Sequence, residues 1–198
     1  MNNVTNSIRY PNSIHRATIQ RVSDNHSSRG SSLEEDLNAS NLYYKEKHLA
    51  LIYKKPTPIQ VVKVDYPLRA RARITEAYYR TPSTTDYNGL YKGHYIDFEA
   101  KQTQNRTSLP KSMIQDHQIS HLKMVNEQGG IGFFIIRFTS HKKTYLADAM
   151  ELIREIKHST SHSIPYAWFE QNALLLQEGI YPRINYLKAV DQRYLKGE

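Results

Sequence analysis

The stretch from Ser83 to Lys101 strongly constrains how this chain can fold. Its second half, residues 95–101, alternates apolar and charged side chains with a period of two residues. This period predicts a half-buried β-strand, with one face on the core and the other carrying charge. The apolar face consists of Ile96, Phe98 and Ala100, and the charged face of Asp97, Glu99 and Lys101.

Two dipeptides compete for the turn that joins this strand to the one before it. If Lys92-Gly93 is the turn, Asp86 lies opposite Glu99, with Cβ atoms about 4.5–5.5 Å apart. The dipeptide Asn88-Gly89 is the stronger hairpin signal, and it would put Asp86 opposite Tyr91 instead. The sequence leaves both registers open, although the chemistry of the paired carboxylates favours the first.

In the first register, the two carboxylates suggest metal-assisted chemistry. Asp86 and Glu99 would repel each other unless a cation offset their charge, and oxygen ligands suit magnesium or manganese. Lys101, two residues beyond Glu99 on the same face, could reach a phosphate held by that metal. The pattern Asp-x12-Glu-x-Lys therefore fits phosphodiester hydrolysis. Charges that only keep a solvent-facing strand soluble would have the same spacing.

Charge and composition narrow the class of partner. A net charge of +8 and a pI near 9.5 favour an acidic partner such as nucleic acid. Residues 1–28 are expected to be a flexible basic arm. No apolar run is long enough for a membrane span, and the first residues lack the apolar core of a signal peptide. Without cysteine there is no disulfide framework, which is compatible with the expected cytoplasmic location.

A basic segment rich in tyrosine precedes the acidic hairpin. In an extended chain Arg69, Arg71 and Arg73 share one face, and Tyr78 is one of three tyrosines interleaved with them. Arginine on phosphates and tyrosine stacked on bases are common contacts to nucleic acid. This segment therefore predicts DNA contact, whereas a solvated basic strand is the plainer interpretation.

The remaining elements predict a mixed α/β domain. A helix begins near Leu33, and an acid in its first turn, Glu34 in particular, could approach the metal site. A second helix is expected over 111–128, ended by a pair of glycines. On it, Gln118 could close the acidic site, while His117 and His121 are expected at the surface or facing phosphate.

Several motifs occur together in an order and spacing that resemble the RecU family of Holliday junction resolvases from low-GC Gram-positive bacteria. The departures from the usual family residues are Ser31, Tyr53, Tyr79 and Gln102, none of them among the expected metal ligands. The matching motifs are Arg29-Gly-Ser-Ser-Leu-Glu-Glu-Asp, Lys54-Lys-Pro-Thr-Pro-Ile-Gln-Val-Val, Glu76-Ala-Tyr-Tyr, Ser83-Thr-Thr-Asp-Tyr-Asn-Gly, Tyr95-Ile-Asp-Phe-Glu-Ala-Lys, Asp116-His-Gln and Tyr181-Pro-Arg-Ile-Asn-Tyr-Leu.

This resemblance implies a restriction-endonuclease-like nuclease domain over residues 29–198, with a stalk at about 66–81 that projects into the junction. It also implies a homodimer that depends on magnesium, or on manganese in its place, and that cuts two opposed strands of a four-way DNA junction. RecA recombinase and branch-migration proteins are the implied partners. Carried over to this sequence, the metal ligands would be Thr84, Asp86, Glu99 and Gln118, the transition-state residue Lys101, and the stalk residues Arg69 and Tyr78.

Two alternatives to a junction resolvase follow from the same residues. The basic segment alone would suit a non-catalytic DNA-binding or recombinase-regulating protein. The same fold would also suit a nuclease that acts on flapped or nicked DNA.

Overall fold

The computed structural model describes residues 32–68, 71–80 and 84–196, so the predicted basic arm (1–28) and Arg69 lie outside them. A short 3-10 helix, Lys111–Met113, precedes the second α-helix. In chain order the other elements are α1 (Leu33–Glu46), β1 (Ala50–Lys54), β2 (Ile59–Asp65), β3 (Arg73–Tyr79), β4 (Tyr87–Tyr91), β5 (His94–Thr103), β6 (Ser108–Pro110), α2 (Asp116–Glu127), β7 (Ile131–Phe138), β8 (Lys143–Asp148), α3 (Ala149–His158), β9 (Ser163–Pro165), α4 (Tyr166–Asn172), β10 (Leu174–Leu175) and α5 (Tyr186–Tyr194).

One mixed sheet dominates the described part of the chain, with strand order β1-β4-β5-β7-β8-β10. Strands β4 and β5 form an antiparallel hairpin, and β5 runs parallel to β7. Two parallel neighbours require a crossover, and the segment between them contains α2. The predicted α/β class, a mixed sheet flanked by helices, is confirmed by this arrangement.

Helices cover both faces of the sheet. Helices α1 and α5 pack on one face through residues such as Leu37 and Val190, while α2, α3 and α4 pack on the other through residues such as Leu122 and Phe169. As a result β7 is buried along its whole length, as its apolar sequence predicts. No helix among the described residues is both long and apolar enough to cross a membrane.

One prediction about β5 is wrong, because helices pack on both faces of the sheet. Strand β5 was expected to be half-buried, but residues 96–99 are buried on both faces. Its apolar face packs in the core, where the Phe98 ring stacks between Tyr87 and Phe133 with centroids 4.8 Å away on each side. Helix α2 packs against β5 and β7, and from it Gln118 and His121 contact the charged face. The carboxylates on that face are therefore removed from solvent.

Capping side chains account for where α1 and α3 begin. Ser32 caps α1, and its hydroxyl accepts a hydrogen bond from the Glu35 backbone N–H while the Glu35 carboxylate accepts one from Ser32 N–H. Asp148 caps α3, and its carboxylate accepts a hydrogen bond from the Glu151 backbone N–H at 3.0 Å. The second helix starts at Asp116 rather than at residue 111, because Ile114 has an extended backbone and separates the 3-10 turn from α2.

Strands β2 and β3 form a separate antiparallel ribbon that we call the stalk. Every residue of both strands is exposed. The stalk is closed at its base, where the Arg80 N–H donates to the Pro58 carbonyl oxygen at 3.0 Å. The predicted stalk segment, 66–81, contains only the tip and the returning strand, whereas the ribbon also includes Ile59–Asp65.

Candidate active site

The β4–β5 turn sets the geometry of the site. Lys92 and Gly93 have φ values of +47° and +80°, as a tight two-residue hairpin turn requires, and Tyr91 pairs with His94. Continued along the hairpin, this register brings Asp86 to Glu99. The Asp86 backbone N–H donates to Glu99 Oε2 at 3.2 Å, and the Ala100 N–H donates to Asp86 Oδ2 at 3.3 Å.

The competing turn at Asn88-Gly89 is wrong, because both residues lie inside β4. Gly89 is needed there for a different reason. A Cβ atom at this position would lie 1.9 Å from the Leu51 carbonyl oxygen of β1. The glycine therefore marks a close approach of two strands rather than a reversal of the chain.

Glu99 is the centre of the site. Its side chain is 1% exposed, and its Oε1 atom accepts hydrogen bonds from Gln118 Nε2 at 2.6 Å and from Lys101 Nζ at 2.7 Å. Burial, and after it the negative charge of Asp86, raises the pKa of Glu99 from its usual 4.5 to about 7. Two carboxylates are thus held close together at an energetic cost that a cation would relieve.

An open cleft of about 490 Å³ lies beside these residues. Thr84, Asp86 and Gln118, three of the four predicted metal ligands, line it, and the fourth, Glu99, contacts two of the three. Its wall also includes His117, whose Nε2 atom is buried without a hydrogen-bond partner in the described structure. The sequence-predicted residues are therefore gathered at one place, while their catalytic roles stay predictions.

Two hydrogen bonds set the orientation of the Gln118 side-chain amide at the site. Its carbonyl oxygen accepts the Gln115 backbone N–H at 2.9 Å, which leaves the NH₂ group to donate to Glu99. In this geometry Gln118 holds the carboxylate of Glu99 in place. Its own carbonyl oxygen is occupied by the hydrogen bond from Gln115 at the N-terminus of α2. Its role as a metal ligand remains a prediction.

Glu34 was predicted as a possible additional acid. It lines the same cleft as Asp86 and is ion-paired with Lys54. Its side chain is 56% exposed, unlike that of Glu99. Glu34 is thus at the mouth of the cleft, with its charge offset by a lysine.

The donor set fits a hard divalent cation. No three histidine, aspartate or glutamate side chains gather as a metal cluster in residues 32–68, 71–80 and 84–196. Two carboxylates nevertheless suffice for magnesium, which keeps several waters and is commonly bound by one or two carboxylates together with substrate phosphates. Asp86 and Glu99 are such a pair, with Asp86 lining the cleft and Glu99 buried beside it.

One buried carboxylate was not singled out by sequence reasoning. Asp97 has no exposed surface, and its carboxylate is hydrogen-bonded by Lys55, Thr85 and Tyr95 and contacted by His121. His121, expected at the surface or facing phosphate, is partly buried and its ring contacts Asp97. The signal was present in the alternation of β5, because Asp97 shares its face with Glu99.

The predicted DNA-contacting residues are on the stalk. Arg71 is at its tip and Arg73 begins β3, both exposed. Tyr78 is 61% exposed, and its hydroxyl donates to Glu76 Oε1 at 2.7 Å. Arg69 lies outside the described residues. The exposed side chains suit contact with a large partner, and DNA contact stays a prediction.

The sequence is similar to a family of recombination proteins over most of its length. The family described as RecU, recombination protein U, matches residues 28–192. The Holliday junction resolvase RecU of Oceanobacillus iheyensis is 49% identical over 193 residues, covering 93% of this chain and 98% of its own length. The corresponding protein of Leuconostoc mesenteroides is 50% identical over 165 residues, covering 83% of this chain and 81% of its own. A solved structure, the Holliday junction resolvase Hjc of Archaeoglobus fulgidus, matches weakly, with a TM-score of 0.41 and 11% identity over 72% of this chain and 93% of that one.

Proposed function

This chain belongs to the RecU family of recombination proteins, and on that premise we propose that it is an endonuclease that resolves Holliday junctions by symmetric paired nicks in homologous recombination and DNA repair. The observation that supports this most directly is the position of Glu99. It is buried against Asp86 and Lys101 beside an open cleft, and that cleft also includes Pro58 at the base of the stalk.

The nuclease is proposed to use Mg²⁺, with Mn²⁺ able to substitute. Asp86 and Glu99 would hold the ion, with Thr84 and Gln118 contributing directly or through water. A divalent ion bound there supplies an activated water molecule and positive charge close to the scissile phosphate. The raised pKa of Glu99 supports this assignment, because burial first and the negative charge of Asp86 second disfavour the ionised carboxylate, and a bound cation would offset both.

The chain's own residues prepare the site for a phosphate. Lys101 carries its ammonium group to Glu99 Oε1, where its charge can offset the negative charge that develops on the phosphate during hydrolysis. Gln118 fixes the same carboxylate through its amide N–H. The Glu99 side chain is thereby held on two sides before any substrate arrives, so little reorganisation is needed at the moment of reaction.

Selection of the junction is assigned to the stalk. A resolvase recognises the branched shape of its DNA through phosphate positions rather than base edges. Arg71, Arg73 and Tyr78 are exposed on an element that projects from the sheet, and Arg69 is proposed to join them. Two opposed nicks require two active sites, so we propose a homodimer with two-fold symmetry. RecA recombinase and branch-migration proteins are the proposed partners in the cytoplasm.

A substrate panel tests this function. The protein is incubated with a mobile four-way junction, a flap, a nicked duplex and an intact duplex of matched length, with and without Mg²⁺. Paired symmetric nicks confined to the junction are the expected result. Cutting of the flap or nicked duplex at equal rates would contradict junction resolution and favour a general branched-DNA nuclease.

A matched pair of variants assigns the chemistry. Asp86→Ala should abolish detectable cleavage and leave junction binding nearly unchanged, while Glu127→Gln, an exposed carboxylate at the end of α2, should cut normally. Turnover by Asp86→Ala at the wild-type rate would refute the metal site. Junction binding without cleavage in the wild-type protein would favour the non-catalytic, recombinase-regulating alternative.

A further inference from the structure

The Asp97 carboxylate is held by donors from four separate segments. Lys55 Nζ and the Tyr95 hydroxyl each lie 2.7 Å from Oδ2, and His121 Nε2 lies 3.0 Å from the same atom. The Thr85 hydroxyl donates to Oδ1. Asp97 itself has no exposed surface. A buried carboxylate is tolerated only when it is paired and hydrogen-bonded, so these contacts are required for Asp97 to remain there.

Two of these donors lie on the two segments that connect the sheet to the stalk. Lys55 follows β1, where the chain leaves the sheet, and Thr85 precedes β4, where the chain returns. The two connecting segments are also hydrogen-bonded to each other. Lys55 Nζ lies 3.0 Å from the Thr85 hydroxyl oxygen, and the Lys55 backbone N–H donates to the Asp86 carbonyl oxygen at 2.7 Å.

The segment that returns from the stalk to β4 also contains Asp86, one of the two acids of the site. Asp86 directly follows Thr85, and it precedes the first residue of β4. The residue pairs of the β4–β5 hairpin begin at Tyr87, so Asp86 lies just outside the paired strand. Asp86 is held directly by Glu99, by the Ala100 N–H and by the Lys55 N–H. The side chain of Asp97, two residues before Glu99 on the same face of β5, adds a further restraint by binding Thr85 and Lys55.

We propose that Asp97 is a positioning residue for cleavage. It anchors Thr85 and Lys55 so that Asp86 stays aligned with Glu99, and it acts through these neighbours without touching the DNA. This inference rests on the proposed nuclease function. Alignment of this kind carries large effects, because a displacement of about 1 Å in a catalytic group can cost roughly 100-fold in rate.

The experiment compares two substitutions at one position. Thr85→Val removes the hydroxyl and keeps the shape, while Thr85→Ser keeps the hydroxyl. Asp97 retains Lys55, Tyr95 and His121 in both variants, so both are expected to fold. Tyr44→Phe is the control for losing a buried hydroxyl elsewhere, since the Tyr44 hydroxyl donates to the Ile184 carbonyl oxygen at 3.0 Å.

Single-turnover cleavage of a four-way junction at saturating protein is measured with Mg²⁺, and junction binding is measured without it. Thr85→Val should cut roughly tenfold more slowly or worse, within the range expected for a misaligned group. Its junction affinity should match that of the wild-type protein. Thr85→Ser and Tyr44→Phe should cut at close to the wild-type rate. Equal rates for Thr85→Val and Thr85→Ser would overturn the proposal, as would a loss of cleavage in Tyr44→Phe equal to that in Thr85→Val.

A second readout does not depend on activity. Amide hydrogen exchange over residues 84–87 of the metal-free protein should be faster in Thr85→Val than in Thr85→Ser, and unchanged in Tyr44→Phe. Identical exchange in all of them would overturn the positioning role. If the wild-type protein does not cut the junction but this exchange difference is found, the proposed function fails and the anchoring of Asp86 by Asp97 stands.

Discussion

The central sheet and the stalk differ in how far their side chains are buried within the chain. Helices cover both faces of the sheet around Phe98 and Glu99, and residues 96–99 are therefore all buried. In the stalk, β2 and β3 pair only with each other and every residue is exposed. The contrast suggests a division of labour. Packing within the chain defines the acidic site, whereas the stalk leaves its side chains free for the DNA contact that we propose.

The largest expected effect tests this contrast through stability. Phe98→Ala should lower the free energy of unfolding by about 3–5 kcal/mol, because it removes a ring stacked between two others in the core. Tyr79→Ala, at an 83% exposed position of the stalk, should change it by no more than about 0.5 kcal/mol. Urea denaturation measures both. A large loss for Tyr79→Ala would show that the stalk packs on something in the free protein.

The next effect concerns chemistry on the sheet side. Lys101→Met keeps most of the apolar stem and removes the ammonium group beside Glu99. Junction cleavage should fall by roughly 10²–10³-fold, as when one preorganised charge-stabilising donor is removed from an active site. Single-turnover kinetics give the rate, and Lys123→Met on the exposed side of α2 serves as the control. Equal rates for the two variants would remove Lys101 from the mechanism.

A smaller effect is expected on the stalk side. Replacing Arg71 and Arg73 together with alanine should weaken junction binding and leave the folded protein equally stable. The slope of log affinity against log salt should fall by about 0.9 for each phosphate that the variant no longer neutralises. Lys188→Ala on α5 is the matched removal of an exposed positive charge. An unchanged salt slope in the double variant would contradict the assignment of the stalk to DNA contact.

The smallest effect follows from the pKa of Glu99. Because the folded-state pKa is about 7 and its usual value is 4.5, the folded protein binds a proton between these values that the unfolded chain releases. Lowering the pH from 8 to 6 without divalent ions should therefore stabilise the wild-type protein by roughly 1 kcal/mol relative to Glu99→Gln. Denaturation curves at both pH values give the difference. Parallel changes in the two proteins would show that Glu99 is not the titrating group.

Local sequence patterns predicted much of the sheet side. The alternation in residues 95–101 predicted β5, the apolar run predicted β7, and the Lys92-Gly93 register brought Asp86 to Glu99. The rejected turn at Gly89 shows where such patterns fail. The 1.9 Å approach of the Leu51 carbonyl oxygen, which excludes a side chain there, comes from a strand almost forty residues earlier in the chain.

The environment of Asp97 could not be predicted for the same reason. Its partners Lys55, Thr85 and His121 are separated from it by 42, 12 and 24 residues, and only the folded sheet and α2 bring them together. The two histidines on α2 illustrate the limit. Their spacing placed them on one helix face, but which of them would meet a buried carboxylate depended on how α2 sits on β5.

The pairing of β1 with β4 has a consequence for how this protein can vary. Lys54, the last residue of β1, lies directly beside Tyr87, the first residue of β4. The stalk is therefore an excursion that starts and finishes at neighbouring points of the sheet. Because Lys55 and Thr85 are held by Asp97, we expect the ribbon beyond Pro58 and Arg80 to tolerate changes of length and composition without moving Asp86 or Glu99. If the stalk selects the junction as we propose, substrate preference and hydrolytic chemistry can change independently of each other.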